Sequence, residues 1–165
     1  MKTYVKNILC YLVALLGLLA FIAMFSTPLE TYDEVKEVWY AYRVKAYVGE
    51  AVNNIKIYNG SALPIVGFIT PLICGLILII ESFQPSWGKK ASVINTIMVV
   101  LFFVSSILVL LTKELFLNAN NLGENINIRN GTGPVFSAIC SALSGLILLF
   151  VTYFPSKSQM EYIQK

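Results

Sequence analysis

Four stretches of this chain, residues 8–25, 63–80, 93–111 and 134–154, carry no charged side chain. At about 1.5 Å per residue the shortest of them covers about 27 Å as a helix, close to the ~30 Å hydrocarbon thickness of a bilayer. The apolar positions run without the alternation of a barrel strand, and only helices or closed barrels satisfy their backbone in lipid. The pattern therefore predicts an all-α membrane protein, a bundle of four transmembrane helices forming one compact domain. Lys2 and Lys6 precede a run too long for a signal peptide, with no small-x-small cleavage site after it, so the expectation is an uncleaved anchor.

The polar segments between the runs carry a repeat. Asn54-Ile55-Lys56-Ile57-Tyr58-Asn59-Gly60-Ser61 returns as Asn125-Ile126-Asn127-Ile128-Arg129-Asn130-Gly131-Thr132, each just before an apolar run. Pro64 and Gly75 lie eleven apart, as do Pro134 and Gly145, and Pro85-Ser86 matches Pro155-Ser156. The reading is a tandem repeat of two helical hairpins, residues 1–90 with loop 26–62 and residues 91–165 with loop 112–133. Both copies enter from one side, which implies a pseudo-two-fold axis along the membrane normal. Alternating Ile followed by Asn-Gly is a strand-and-turn signal, and a two-fold axis predicts antiparallel pairing of residues 54–58 with residues 125–129.

The first loop reads as a small extracellular layer of its own. Thr27-Pro28-Leu29-Glu30 resembles a helix start, and Tyr32, Val35, Trp39, Tyr42 and Ala46 follow at spacings of three and four. Acidic residues come early, Arg43 and Lys45 late, and Gly49 supplies a stop. These cues predict an amphipathic helix, preferred over a strand from Val38 to Val48 that the Val, Trp and Tyr content also permits. Its stripe, Tyr32, Val35, Trp39 and Tyr42, is the candidate interaction surface.

Charge fixes the expected orientation. Lys2, Lys6, Lys89, Lys90, Lys157 and Lys165 crowd short segments on one side of the membrane, while most carboxylates lie on the other. The positive-inside rule then puts both termini in the cytoplasm of a multi-pass protein of the cell membrane. The whole chain holds 12 basic and 9 acidic residues, too mild a balance for nucleic acid. Hydrophobic residues make up 57% of it, and its mean hydropathy of +0.73 belongs to the membrane class.

Candidate chemistry is sparse. The chain has no histidine, the commonest general base and metal ligand, and Cys10, Cys74 and Cys140 all fall within apolar runs. No catalytic, cofactor-binding or metal-binding set emerges, and the expectation is a protein that is not an enzyme and uses no cofactor. Glu81 reads as an interfacial carboxylate reaching toward Lys89 and Lys90. Ser137, Ser141 and Gly145 form a small-xxx-small row, a candidate helix-packing face, and Pro71 is a candidate kink in the second span. Asn59 and Asn130 head glycosylation sequons, but turn chemistry accounts for the same residues.

Four spans, a long first loop and cytoplasmic ends resemble the layout of claudins and related tetraspan proteins. Their first loop carries a Trp with paired cysteines, whereas this one has Trp39 and no cysteine, and the duplication is not part of their pattern. The resemblance is therefore one of layout, and no residue role follows from it. The expected function is that of an accessory or self-assembling subunit, held in the lipid bilayer and bound to a membrane-protein partner or to its own copies. The alternative is a small transporter or channel with its path on the pseudo-two-fold axis.

Overall fold

The computed structural model describes residues 3–34, 36–42, 46–52, 55–83, 88–122 and 127–153. Helix α1 (Thr3–Ile22) runs into a short tightened turn, Ala23–Phe25. Four strands follow: β1 (Leu29–Asp33), β2 (Val38–Tyr42), β3 (Glu50–Val52) and β4 (Ile55–Tyr58). Then come α2 (Leu63–Phe83), α3 (Gly88–Leu110), α4 (Thr112–Ala119), β5 (Ile128–Asn130) and α5 (Thr132–Tyr153). Four helical stretches, Val5–Phe25, Leu63–Phe83, Ser92–Leu110 and Thr132–Tyr153, are long and apolar enough to cross a membrane.

The four long helices form a closed ring in which α1 packs on α2, α2 on α3, α3 on α5 and α5 back on α1. Buried positions recur at spacings of three and four. They include Cys10, Val13, Gly17 and Ala20 on α1; Pro71, Cys74 and Leu78 on α2; Asn95, Met98, Phe102, Ser105 and Val109 on α3; and Ser137, Ser141, Ser144, Leu148 and Val151 on α5. This is the seam spacing of left-handed helix bundles. The outward faces carry large apolar side chains such as Leu15, Ile73, Ile107 and Leu146, as a bilayer solvent requires.

Along its axis the interior is layered. Near the loop end, Ala23, Phe68, Val109 and Ala138 pack together with Tyr47 of the first loop against them. Toward the opposite end, Val13, Cys74, Leu78, Met98, Val99, Phe102 and Leu148 form a second apolar layer. Between the two, Gly17, Pro71, Ser105 and Ser141 draw the helices close. A Cβ on Gly17 would run into the Pro71 carbonyl oxygen, so only glycine lets α1 lie against α2 there.

Pro71 explains one further contact of this middle layer. A proline has no N–H, so the carbonyl of Gly67, four residues earlier, loses its intrahelical donor. The Ser105 hydroxyl of α3 donates to that carbonyl instead. Helix α2 consequently runs unbroken through Pro71. The adjacent Ser106 hydroxyl donates to the Ala138 carbonyl of α5 at 3.0 Å, so this serine pair ties α3 to both of its neighbours.

The loop end differs from the sequence expectation. Residues expected as an amphipathic helix form the antiparallel hairpin β1–β2, paired from Leu29↔Tyr42 to Asp33↔Val38. Strand β1 also pairs antiparallel with β5, giving the sheet order β2-β1-β5. Glu37, at φ 54°, helps turn the hairpin, and the sheet partner supplied by β5 lies far beyond any local signal. The expected pairing of residues 54–58 with 125–129 is likewise replaced, because β4 pairs with β3 and β5 with β1.

Candidate functional site

Successive strand residues face opposite sides of a sheet, and this sheet uses the two sides differently. Leu29 and Ile128 turn inward and are buried with Ala46 and Phe116, with Leu122 beside them. Glu30, Tyr32, Trp39 and Arg129 occupy the other side. Tyr32 and Trp39 are cross-strand partners with ring centroids 5.2 Å apart. The Arg129 guanidinium lies 4.1 Å over the Trp39 ring. Its Nε and Nη2 both donate to Glu30 Oε2, at 2.8 and 2.7 Å, so one cation is held by a ring and a carboxylate together. Trp39 remains 39% exposed and the Arg129 side chain 52%, which leaves a flat aromatic and charged face open to solvent.

Of the candidate surface residues, Tyr32 and Trp39 are thus brought together, though by strand pairing and not by a helical stripe. Val35 lies outside the described residues, as does the side chain of Tyr42, whose backbone belongs to β2. Arg43 and Lys45 are also outside them. Sequence reasoning missed Arg129 and Glu30 as members of the face. Their opposite charges sit 99 positions apart, and only the register Glu30↔Arg129 joins them.

The sheet is anchored to the bundle through α4, which occupies part of the segment expected as the second loop. Leu111 alone departs from helical ψ between α3 and α4, while backbone bonds from Leu111 N–H to Ile107 O and Leu115 N–H to Leu111 O carry the helix across. The two sequon asparagines hold its opposite ends. Asn130 Oδ1 accepts from the Lys113 N–H at 2.9 Å, supplying the N-terminal cap that α4 lacks locally, and its Nδ2 donates to the Leu110 carbonyl. At the other end Asn59 Nδ2 donates to the Ala119 carbonyl at 2.8 Å, and Asn120 exchanges hydrogen bonds with the Asn59 backbone. Both amide nitrogens are engaged in the fold.

The glycines that follow those asparagines do not take the left-handed conformation expected of turn residues, since Gly49 is the glycine with positive φ among the described residues. Gly60 and Gly131 are required for another reason. A Cβ on Gly60 would strike the backbone of Val48 and Gly49, and one on Gly131 the backbone of Thr27 and Leu29.

The small-xxx-small row is turned into the bundle. Ser137 and Ser141 are fully buried, and the bare face of Gly145 meets Phe102 and Phe103 of α3 in the same chain. The hydroxyls of Ser137, Ser141 and Ser144 have no hydrogen-bond partner, although Thr70, Thr96 and Thr152 each bond back to the carbonyl four residues earlier. For Glu81 the expected neighbours, the side chains of Lys89 and Lys90, lie outside the described residues. The Oε2 of Glu81 is occluded by protein, while the Asn95 side chain hydrogen-bonds the same carboxyl and the Lys6 ammonium lies in its neighbourhood. Among the described residues no group of three or more His, Cys, Asp or Glu side chains could hold a metal ion.

No protein-family model, curated protein or solved structure matches the chain.

Proposed function

We propose that this protein is a non-catalytic, multi-pass subunit of the cell membrane that binds a membrane-protein partner, or its own copies, through the exposed sheet face. The observation that carries the reading is the Tyr32, Trp39 and Arg129 face, open to solvent on a layer pinned to the bundle. Aromatic rings and arginine are the side chains that dominate binding energy at protein interfaces. Here they are already ordered by stacking and by Glu30, which lowers the entropy cost of association. Because the small-residue row is taken up inside the bundle, the reading rests on the sheet and not on that row.

Orientation and duplication belong to the same proposal. The lysine-dense short segments favour cytoplasmic termini and an outward sheet. Two tandem hairpins are supported by the repeat and by the ring, in which α1 packs on α2 and α3 packs on α5 as matching pairs. The equivalent glycines agree, for Gly75 faces Ala14 of α1 and Gly145 faces Phe102 and Phe103 of α3.

The test is cross-linking in intact membranes, followed by purification in mild detergent. A defined complex with wild-type protein that weakens at least tenfold in Trp39→Ala and Arg129→Ala is the expected result. Recovery of the same lone monomer from all three would refute the proposal.

A transporter or channel is the second reading, favoured by the unpartnered hydroxyls of Ser137, Ser141 and Ser144 in mid-bundle. The apolar layers on either side of them would have to separate for a path to open. Flux through reconstituted vesicles, reduced by Ser141→Leu, would turn the balance toward it.

A further inference from the structure

The sheet at the loop end has an open edge along β2, and the alternation of hydrogen bonds in antiparallel strands tells which backbone groups lie there. Between β1 and the β5 segment, the Tyr32 N–H donates to Asn127 O and the Gly131 N–H to Pro28 O, both across directly opposed residues. The even-numbered residues of β1 therefore face β5, and Leu29, Thr31 and Asp33 turn their N–H and C=O groups toward β2. There they meet Tyr42, Tyr40 and Val38. Trp39 and Ala41 consequently direct their backbone groups away from β1, to a side where no strand lies among the described residues. The side chains are open along this edge as well, since Val38, Trp39 and Ala41 are all exposed.

An edge of this kind is a template for another chain, and proteins blunt it with a charged side chain, a proline or a bulge. Strand β2 is Val38-Trp39-Tyr40-Ala41-Tyr42, with no charge and no proline, and its ladder with β1 runs regularly from Leu29↔Tyr42 to Asp33↔Val38. The geometry points to antiparallel pairing of β2 with β2 of a second copy of this chain, about a two-fold axis through Tyr40. Trp39 then opposes Ala41 of the second copy, and Ala41 opposes its Trp39. Both outward N–H groups and both outward C=O groups of each strand are used in that register, so it is self-complementary, as an isologous interface requires. It also sets the large Trp39 side chain against the small Ala41, on the face that carries Tyr32 and Arg129, and brings no like charges together. The inference rests on the association proposed above and names its partner and its contact. The sheets of two copies join edge to edge, in the order β5-β1-β2-β2-β1-β5.

Single cysteines read the register. Full-length variants in lipid vesicles are mildly oxidised, with the wild type as control, since Cys10, Cys74 and Cys140 are buried in the helices. Tyr40→Cys stands opposite its own copy in a non-hydrogen-bonded pair, with Cα atoms about 4.5 Å apart and within the disulfide range of about 4.4–6.8 Å. Val38→Cys and Tyr42→Cys lie as far from their own copies as Val38 lies from Tyr42 along the strand, about 13 Å at ~3.3 Å per residue, and out of reach. The expected result is a disulfide dimer at least tenfold more abundant for Tyr40→Cys than for either of the others. Ala41→Pro removes an N–H that β1 does not use, so the hairpin tolerates it as an edge strand does, and chemical cross-linking of two copies should fall at least tenfold. Copies with two different tags are reconstituted together, or in separate vesicles that are then mixed, to tell pairing within one bilayer from pairing between two. A mixed dimer in either arm supports the proposal, and its absence from both overturns it. A complex that Trp39→Ala and Arg129→Ala weaken, but with equal disulfide yields at 38, 40 and 42 or no response to Ala41→Pro, overturns the edge pairing and leaves the association standing. A lone monomer throughout overturns both. If Ala41→Pro fails to fold, the cysteine profile decides alone.

Discussion

Replacing Ser105 by alanine isolates a contact whose value depends on a residue in another helix. In the wild type the Ser105 hydroxyl donates to the Gly67 carbonyl that Pro71 leaves without its helical N–H. Ser105→Ala therefore strands a buried acceptor, at a cost of about 1–3 kcal/mol. In a Pro71→Ala background the restored backbone N–H serves Gly67, and the same substitution should cost only the ~0.6 kcal/mol of an ordinary interhelical hydrogen bond. The double-mutant cycle thus has an expected coupling of about 0.5–2.5 kcal/mol. Reversible unfolding of all four proteins in mixed micelles, titrated with a denaturing detergent, measures it. Equal costs of Ser105→Ala in both backgrounds would refute the reasoning, because the serine would then owe nothing to the proline.

Gly17→Ala should destabilise the bundle by about 1–3 kcal/mol, because its Cβ meets the rigid Pro71 backbone. Gly145→Ala should cost less, since its Cβ meets the Phe103 ring at 3.2 Å and the ring can shift; paired thermal melts compare the two. Asn130→Ala removes the cap of α4, and amide exchange in residues 113–116 should accelerate about fivefold or more, consistent with the ~1 kcal/mol of a lost cap. Burial pushes the Tyr47 phenol well above its usual range. The folded state then holds this proton more tightly than the unfolded one, so stability is intact below about pH 10 and falls as pH rises beyond it. Tyr47→Phe should flatten that alkaline limb and, because the hydroxyl has no partner, cause no loss at neutral pH; melts across the pH range decide.

The spans are legible because lipid imposes one requirement over many consecutive residues, and a run such as 93–111 has no other reading. The first loop is legible in its parts but not in its assembly. Tyr32 and Trp39 lie seven apart, which places them on one helical face and equally makes them facing partners across a hairpin. Caps and charge order favour the helix locally, and pairing with β5 overrides them, as non-local contacts commonly decide strand formation. The two Asn-Gly pairs mark the right residues for the wrong reason. Their asparagines act through side chains on α4, and their glycines through close backbone approach. The Glu81 environment is not legible because the facing residues belong to α1 and α3, and a sequence gives no helix rotation.

The central strand of the sheet has a consequence for how the molecule is made. Strand β1 emerges early in synthesis, yet its second neighbour, β5, follows two further long apolar helices, and Arg129 reaches Glu30 only then. Until β5 has been made, β1 has β2 as its sole partner in this sheet, and a two-stranded ribbon is marginal alone in water. The Tyr32, Trp39 and Arg129 face is therefore completed last, and a chain arrested after α2 would not form it.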